Sequence, residues 1–136
     1  MSIDDKLDAA RRTLDRVHPV QAAAEAVRGA VLVDTRPESM RRADGTIPGA
    51  LIVERNHLEW RCDPDCEARL PQAVDHEVRW IVFCDEGYAS SLAAASLRWI
   101  GLNRATDLVG GFQAWRRAGL PVEPAEASPW LDSLCV

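Results

Sequence analysis

The sequence predicts an α/β fold, in which a mostly parallel sheet is covered by helices on both faces. Two observations predict this class. Short runs of β-branched and other apolar residues alternate along the chain with longer stretches that have helical periodicity. No internal repeat breaks this alternation, and a length of 136 residues is typical of one domain with a single core.

The first half of the chain is predicted to contain three helices and two strands. The first helix covers residues 3–17, where leucine, alanine and valine are spaced as on an amphipathic helix. A second helix follows in HPVQAAAEAVRGA, with proline near its start and glycine near its end. The strands are VLVDTR and ALIVE, and the short helix PESMRRA and the turn DGTIPGA lie between them. Residues 55–76 are polar and contain proline, and no element is assigned there.

The second half continues the alternation of strand and helix. RWIVF is followed by the helix SSLAAASLRWIG, and ATDLV is followed by the short helix GFQAWRRAG. Trp99 shares a helical face with Leu92, Ala95 and Ser96, and we therefore predict that Trp99 lies in the core. Residues 123–136 are predicted to form a loose extension.

Composition and charge argue against several classes of function. Hydrophobic residues make up 47% and charged residues 27% of the chain, as in ordinary globular proteins. The net charge of −5 disfavours a general nucleic-acid binder, because phosphate contacts demand a basic face. No apolar stretch approaches the roughly 20 residues that a membrane-spanning helix needs, and the N-terminus lacks the apolar core of a signal peptide. We therefore expect a cytoplasmic protein with no nucleic-acid or membrane partner.

Three of the four cysteines are given no catalytic role. In a reducing compartment all four are expected to be thiols. Cys62 and Cys66 flank a proline in WRCDPDCEARL. A zinc site usually has a closer pair plus two further ligands, for which only His57 and His76 are near. We expect two loop thiols and no metal, with a zinc site as the alternative, and no role for Cys135.

The fourth cysteine, Cys84, directly follows the strand RWIVF. Ligands of open α/β sheets bind beyond the carboxyl ends of the strands. The loop from Asp85 to Ala89 would therefore wrap its backbone N–H groups around the sulfur, and Gly87 permits the positive φ that a tight loop often needs. Such donors stabilise an anion, so the position favours a nucleophilic thiolate over a buried structural cysteine, which is the alternative.

The segments VLVDTR, GTIPGA, IVFCDEGYASSLAAASL and DLVGGFQAWRRAGLPV occur in the order that is typical of one family. The chain resembles a single-domain rhodanese, a sulfurtransferase, over roughly residues 17–122, with the helix 3–17 before this core and the tail 123–136 after it. The resemblance implies a three-layer fold, with a five-stranded, mainly parallel sheet and helices on both faces. It also implies one rhodanese domain over residues 1–136 and no cofactor.

The resemblance further implies that Cys84 carries the reaction as a persulfide. Its thiolate would take sulfane sulfur from a donor such as thiosulfate and pass it to cyanide or a thiol, with a sulfur-carrier protein as a further candidate partner. Arg55 and Arg61 are expected to face the donor, with solvated surface arginines as the alternative. Asp34 and Arg36 are expected to support nearby loops. The loop that would bind the substrate consists of Asp85, Glu86, Gly87, Tyr88, Ala89 and Ser90.

Several residues depart from the family pattern. Many rhodaneses have an arginine or lysine in the loop, whereas this loop has Asp85 and Glu86 and no basic residue. Because like charges repel, the acidic loop puts thiosulfate in doubt as the natural donor. Thr46 stands where the family turn often has histidine. Trp60 and Tyr88 are expected at the mouth of the pocket.

Two alternatives to a sulfurtransferase are considered. Phosphatases of the cell-cycle type and arsenate reductases are disfavoured, because such a phosphatase needs cysteine, five residues and then arginine, and that last position is Ser90 here. The second alternative is a rhodanese-like module that binds proteins or senses sulfur without catalysis. Such modules often lack the cysteine, which this chain retains as Cys84.

Overall fold

A computed structural model describes residues 1–125 of the chain. The rest of the predicted tail, including Cys135, lies outside the described residues. The helices are α1 (Ile3–Arg12), α2 (Pro19–Val27), α3 (Glu38–Asp44), α4 (Leu58–Cys62), α5 (Ala89–Trp99) and α6 (Gly111–Arg117), and Arg55–His57 form a 3₁₀ turn. The strands are β1 (Val31–Asp34), β2 (Leu51–Ile52), β3 (Trp80–Phe83) and β4 (Thr106–Asp107).

The strands pair in parallel and lie in the order β2-β1-β3-β4. The predicted α/β class with a parallel sheet is therefore confirmed, but the described residues form four strands and not the five that the resemblance implies. A single bridge marks the fifth position, where Val17 pairs with Leu108 through hydrogen bonds of 3.1 and 2.8 Å to the residues on either side. The pairing stops there because Pro19, which has no N–H, begins α2.

Helices cover both faces of the sheet, which gives three layers. Successive side chains of a strand point to opposite faces, and the buried residues of β1 and β3 divide accordingly. One face packs against α4 and α5 and contains Val33, Trp80, Val82, Leu58, Ala93 and Leu97. The other face packs against α2 and α6 and contains Leu32, Ile81, Phe83, Ala22, Phe112 and Trp115. The central strands are thus buried on both sides, as their apolar sequences predict.

The first helix is shorter than predicted. α1 begins at a capping box, in which the Ser2 hydroxyl accepts from the Asp5 N–H and the Asp5 carboxylate accepts from the Ser2 N–H. It ends at Arg12 and not at residue 17, and it packs against α5 with Leu7 and Ala10 buried. Neither α1 nor any other helix of the described chain is long and apolar enough to cross a membrane.

The prediction that Trp99 lies in the core is wrong, because its side chain is 90% exposed. α5 buries the face that holds Ser90, Ala93, Ala94 and Leu97. Trp99 is two residues beyond Leu97, which places it about 200° around the helix. Periodicity distinguishes the two faces of α5. The face with small alanines, which meets the sheet, is no more apolar in sequence than the face with Trp99, so periodicity alone does not identify the buried face.

Candidate active site

The carboxyl edge of the sheet places Cys84 between two neighbouring strand ends. Asp34 of β1 is in register with Phe83 of β3, and the Thr35 N–H donates to the Phe83 carbonyl at 3.0 Å. On the other side, β4 ends at Asp107. Cys84 therefore lies in the middle of the edge at which parallel α/β folds bind their ligands.

The loop after β3 directs backbone donors at the Cys84 sulfur. Sγ accepts hydrogen bonds from the Gly87 N–H at 3.2 Å and from the Ser90 N–H at 3.4 Å, and the Ser90 hydroxyl lies 3.3 Å away. The loop thus gives two donors to the sulfur and leaves others for a further anion. The loop amides that have no acceptor among the described residues are those of Asp85, Glu86, Tyr88 and Ala89.

Three glycines seat this loop against the start of α6. Gly87 has a φ of +89°, and a Cβ there would lie 2.8 Å from the Gly110 nitrogen. A Cβ on Gly111, whose φ is +60°, would lie 2.5 Å from the Cys84 carbonyl oxygen. Two N–H groups of α6 donate to the carbonyls of Cys84 and Asp85, at 2.9 and 3.0 Å. Glycine is needed because no other residue combines this backbone conformation with so close an approach.

The two acidic residues of the loop differ in their surroundings. Asp85 is half-buried, and its Oδ1 accepts from Gln113 Nε2 at 2.8 Å. Glu86 is exposed. No basic side chain of residues 1–125 lies within salt-bridge distance of either carboxylate, so neither Arg55 nor Arg61 pairs with them.

Arg55 and Arg61, which the resemblance places near the donor, have local partners. Arg55 Nη1 donates to both carboxylate oxygens of Glu59, at 2.8 and 3.0 Å. Arg61 donates to the Ala68 carbonyl. Burial raises the pKa of Glu59, but hydrogen bonds from Ser96, from the backbone and from Arg55 outweigh burial and hold this pKa below its ordinary value. Arg55 is therefore partly neutralised by Glu59.

A cavity of about 660 Å³ lies at the ends of β1 and β2, and Cys84 is not one of its lining residues. Thr35 connects the two, because it hydrogen-bonds the last residue of β3, immediately before the cysteine. The lining residues are Thr35, Arg36, Pro37, Glu54, Arg55 and Asn56. A larger cavity of about 970 Å³ lies at the opposite edge of the sheet, at the amino ends of β1 and β3, and is remote from Cys84.

Asp34 and Arg36 form a buried ion pair beside the site. Arg36 Nη2 donates to Asp34 Oδ2 and to the Gly45 carbonyl, both at 2.8 Å, and each side chain of the pair is at most 1% exposed. The guanidinium also stacks on the Phe112 ring, with 3.9 Å between Cζ and the ring centroid. These contacts join the end of β1 to the turn before β2 and to α6, and a supporting role for the pair stays a prediction.

Sequence reasoning missed a polar network beneath the loop. Asp107 is fully buried, and its carboxylate accepts from Arg16 Nε at 2.8 Å and from two serine hydroxyls of α5 at 2.7 and 3.2 Å. Arg11 and Arg16 also donate to the Gly87 carbonyl, at 2.9 and 3.2 Å. Asp107 did carry a signal, because a charged residue between buried strand residues is rare unless it is paired. The two arginines carried none, since they precede the loop by about 70 residues.

Cys62 and Cys66 take no part in this loop. Cys62 lies in the core, where burial and, to a smaller extent, the charge of Glu59 raise the pKa of its thiol to about 12. Neither cysteine belongs to a cluster of three potential metal ligands within the described chain. The one such cluster there is exposed or half-exposed and consists of Asp63, Asp65 and His76.

Comparison with known proteins gives one family and close structural relatives. The family description Rhodanese-like domain matches residues 19–118. The thiosulfate sulfurtransferase GlpE of Stutzerimonas stutzeri is 39% identical over 102 residues, which are 74% of this chain and 84% of the relative. A solved protein of unknown function from Rhodopseudomonas palustris, described as a possible tyrosine phosphatase, is 31% identical, with a TM-score of 0.82 over 90% of this chain and 95% of its own. A human single-domain sulfurtransferase is 27% identical, with a TM-score of 0.60 over 75% of this chain and 95% of its own.

Proposed function

The chain belongs to the family of rhodanese-like domains, and we propose that it is a sulfurtransferase whose Cys84 carries sulfane sulfur as a persulfide. Relatives that match most of the chain are thiosulfate sulfurtransferases, which supports an enzyme of this class. One observation carries the proposal: the Cys84 sulfur faces two backbone N–H groups in a loop that holds four further unpaired amides among the described residues. We also propose that residues 17–122 form the catalytic core of one domain.

The proposed reaction has two displacement steps. The Cys84 thiolate attacks the outer sulfur of thiosulfate, the sulfur–sulfur bond of the donor breaks, and sulfite leaves with the electron pair of that bond. Cys84 is then a persulfide anion. Cyanide or a thiolate attacks its outer sulfur, the sulfur–sulfur bond at Cys84 breaks, and the Cys84 thiolate returns. The site must therefore hold negative charge in both steps.

The backbone of the loop meets this demand without a basic side chain. The N–H groups of Gly87 and Ser90 stabilise the Cys84 sulfur as an anion. The unpaired N–H groups of Tyr88 and Ala89 are offered to the outer sulfur of the persulfide or to the oxygens of the donor. Donors that are fixed before the charge moves stabilise it better than donors that must first reorient, because no reorganisation is needed during the reaction.

We assign the cavity lined by Thr35 and Arg55 to the sulfur donor and acceptor. Its lining residue Thr35 hydrogen-bonds Phe83, the residue before Cys84, and its volume of about 660 Å³ admits either a small anion or the thiol end of a carrier protein. Arg55 supplies positive charge there, of which Glu59 neutralises a part. Trp60 and Tyr88 are 60% and 61% exposed and are available to contact a carrier at the rim.

A phosphatase is disfavoured, although one solved relative is described as a possible tyrosine phosphatase. The position that needs arginine is Ser90, whose hydroxyl donates to Asp107 at 3.2 Å. Ser90 therefore offers no guanidinium with which to grip phosphate. A module without catalysis is also disfavoured, because the cysteine and its unpaired amides would then have no use.

Mass spectrometry of the intact protein after exposure to thiosulfate tests the proposal. We expect one added sulfur atom, located on the Cys84 peptide and removed by cyanide with release of thiocyanate. Cys84→Ser should accept no sulfur, whereas Cys66→Ser, which changes a thiol outside the loop, should behave as the wild type does. Thiocyanate production by a folded Cys84→Ser variant would refute the assignment, and a wild type that accepts no sulfur from several donors would favour the non-catalytic module.

A further inference from the structure

The Gly87 carbonyl is held by residues from outside its loop. It accepts hydrogen bonds from Arg11 Nη2 at 2.9 Å and from Arg16 Nη2 at 3.2 Å. Two cationic donors on one carbonyl fix the orientation of the peptide that joins Gly87 to Tyr88. In a trans peptide the N–H lies antiparallel to the carbonyl, so the Tyr88 N–H is fixed on the opposite side. This N–H is one of the loop amides without an acceptor in the described chain.

Arg11 differs from Arg16 in its charge balance. Arg16 is paired with Asp107 at 2.8 Å, so its charge is offset. Apart from the loop carbonyl, Arg11 contacts the Ser91 hydroxyl at 3.1 Å and the Tyr88 ring at 5.6 Å, and both are neutral. No carboxylate of residues 1–125 lies within salt-bridge distance of Arg11. Arg11 thus brings a positive charge that is not offset to a loop that has no basic residue of its own.

We propose that Arg11 is a positioning residue of the active site: from α1 it fixes the Gly87–Tyr88 peptide, so that the loop amides serve the Cys84 sulfur, and it supplies the positive charge that the loop lacks. The proposal rests on the proposed function in taking the Cys84 thiolate as the reacting group. α1 lies before residues 19–118, the part that matches the family model.

The charged groups around the loop determine whether the loss of Arg11 favours or disfavours the Cys84 thiolate. Asp85 and Glu86 lie in the loop, and Asp107 lies beneath it at the end of β4. Arg16 offsets Asp107, which leaves Arg11 as the cation that opposes the two loop carboxylates. Removing Arg11 therefore leaves the loop with excess negative charge and a looser peptide, and both changes disfavour the thiolate.

The test compares the rates at which iodoacetamide alkylates Cys84 in Arg11→Gln and in Arg12→Gln. Alkylation is measured on the Cys84 peptide over the pH range in which thiols titrate. Arg12 is the next residue of α1, is exposed and makes no hydrogen bond or salt bridge with the described residues, so the two variants have the same net charge. We expect Arg11→Gln to alkylate about 10-fold more slowly at pH 7, with the midpoint of its pH profile about one unit higher. Arg12→Gln should stay within about 2-fold of wild type.

A second pair of variants separates position from charge. Arg11→Lys keeps the charge, but an ammonium group lacks the planar fork that reaches Ser91 and the Gly87 carbonyl together, so we expect it to recover only part of the rate. Circular dichroism and thermal unfolding identify any variant that does not fold. If Arg11→Gln does not fold, the test compares the alkylation rates of Arg11→Lys and Arg12→Lys. Equal alkylation profiles for folded Arg11 and Arg12 variants overturn the proposal, and full recovery by lysine overturns the positioning role.

The same measurements distinguish this proposal from the proposed function. Alkylation needs only a reactive thiol, whereas sulfur transfer needs donor, persulfide and acceptor. If the wild type accepts no sulfur but Arg11→Gln still slows alkylation, the sulfurtransferase assignment fails and the role of Arg11 stands. If Cys84 forms a persulfide equally fast in wild type and in Arg11→Gln, the assignment stands and the role of Arg11 fails.

Discussion

Gly111→Ala tests whether the contact between the active loop and α6 is as tight as the structure indicates. The new Cβ would lie 2.5 Å from the Cys84 carbonyl oxygen and 2.8 Å from the Asp85 carbonyl, both of them backbone atoms that cannot rotate away. The loop must therefore move by several tenths of an ångström. The shift would lengthen the two hydrogen bonds that α6 donates to the loop carbonyls, at 2.9 and 3.0 Å.

The loss of stability expected for Gly111→Ala has two parts. A side chain at the φ of +60° that Gly111 adopts costs about 1–2 kcal/mol, because its Cβ crowds the backbone in the left-handed region. Overpacking against the loop adds about 1–3 kcal/mol. We therefore expect Gly111→Ala to lower the free energy of unfolding by about 2–5 kcal/mol.

Gly119→Ala is the matched control for this substitution. Gly119 has a similar φ of +75°, but a Cβ added there would have no other atom of the described residues within 4 Å. The free energy of unfolding of this variant should therefore fall only by the part that the positive φ causes, about 1–2 kcal/mol, and the variant should keep full activity. The difference between the two variants isolates the contact with the loop.

Urea unfolding and thiocyanate production measure the two effects. Gly111→Ala should lose at least about 10-fold in kcat, because a loop displaced by a fraction of an ångström misdirects its amides. Equal stability and equal activity of the Gly111→Ala and Gly119→Ala variants would refute the reasoning, since the loop would then have room for a methyl group.

Three further predictions concern charge, a buried thiol and a buried ion pair. Glu86→Gln should lower the KM for thiosulfate by about 2- to 5-fold at low ionic strength and less in high salt, because an exposed carboxylate repels a dianion; an unchanged KM would mean that Glu86 lies off the donor's path. Burial raises the pKa of Cys62 to about 12 from 9.0, so iodoacetamide at pH 8 should leave Cys62 unmodified until urea unfolds the chain. Because the unfolded thiol ionises first, the stability associated with this raised pKa is complete below about pH 9 and is lost as the pH rises toward 12. In urea titrations, Cys62→Ala should lack this part of the pH dependence. Arg36→Met should lower the free energy of unfolding by about 3–5 kcal/mol, because Asp34 stays buried without its partner, and a urea midpoint near that of wild type would contradict a bracing role.

The core of the candidate site could be predicted because its parts are contiguous in sequence. A buried strand, Cys84, a loop with Gly87 and a helix of small residues follow one another directly. The local geometry of such a unit depends on backbone preferences that each residue type carries with it. The reason for Gly110 and Gly111 was not visible in the same way, because the loop they accommodate is more than 20 residues earlier.

The two errors have different physical causes. The pattern of α5 separates two faces, but the choice of the buried face depends on which face fits the sheet, and alanines fit closely where Trp99 does not. The strand count differs because Pro19 starts a helix and limits the edge pairing to Val17. The first outcome depends on a contact that is distant in sequence, whereas the second depends on a proline two residues from Val17.

The amino-acid sequence by itself determined the α/β class, the parallel order of strand and helix, and the position of Cys84 at a strand end, because periodicity and turn residues act over a few neighbours. Tertiary structure alone decided that Arg11 and Arg16 hold the Gly87 carbonyl, more than 70 residues away, and that Asp107 is buried under the same loop. Arg11, on a short amphipathic helix, looks like a solvated surface residue until packing places that helix against α5. Hydrogen-bond partners at such separations are selected by the packing of whole elements, for which no local pattern exists.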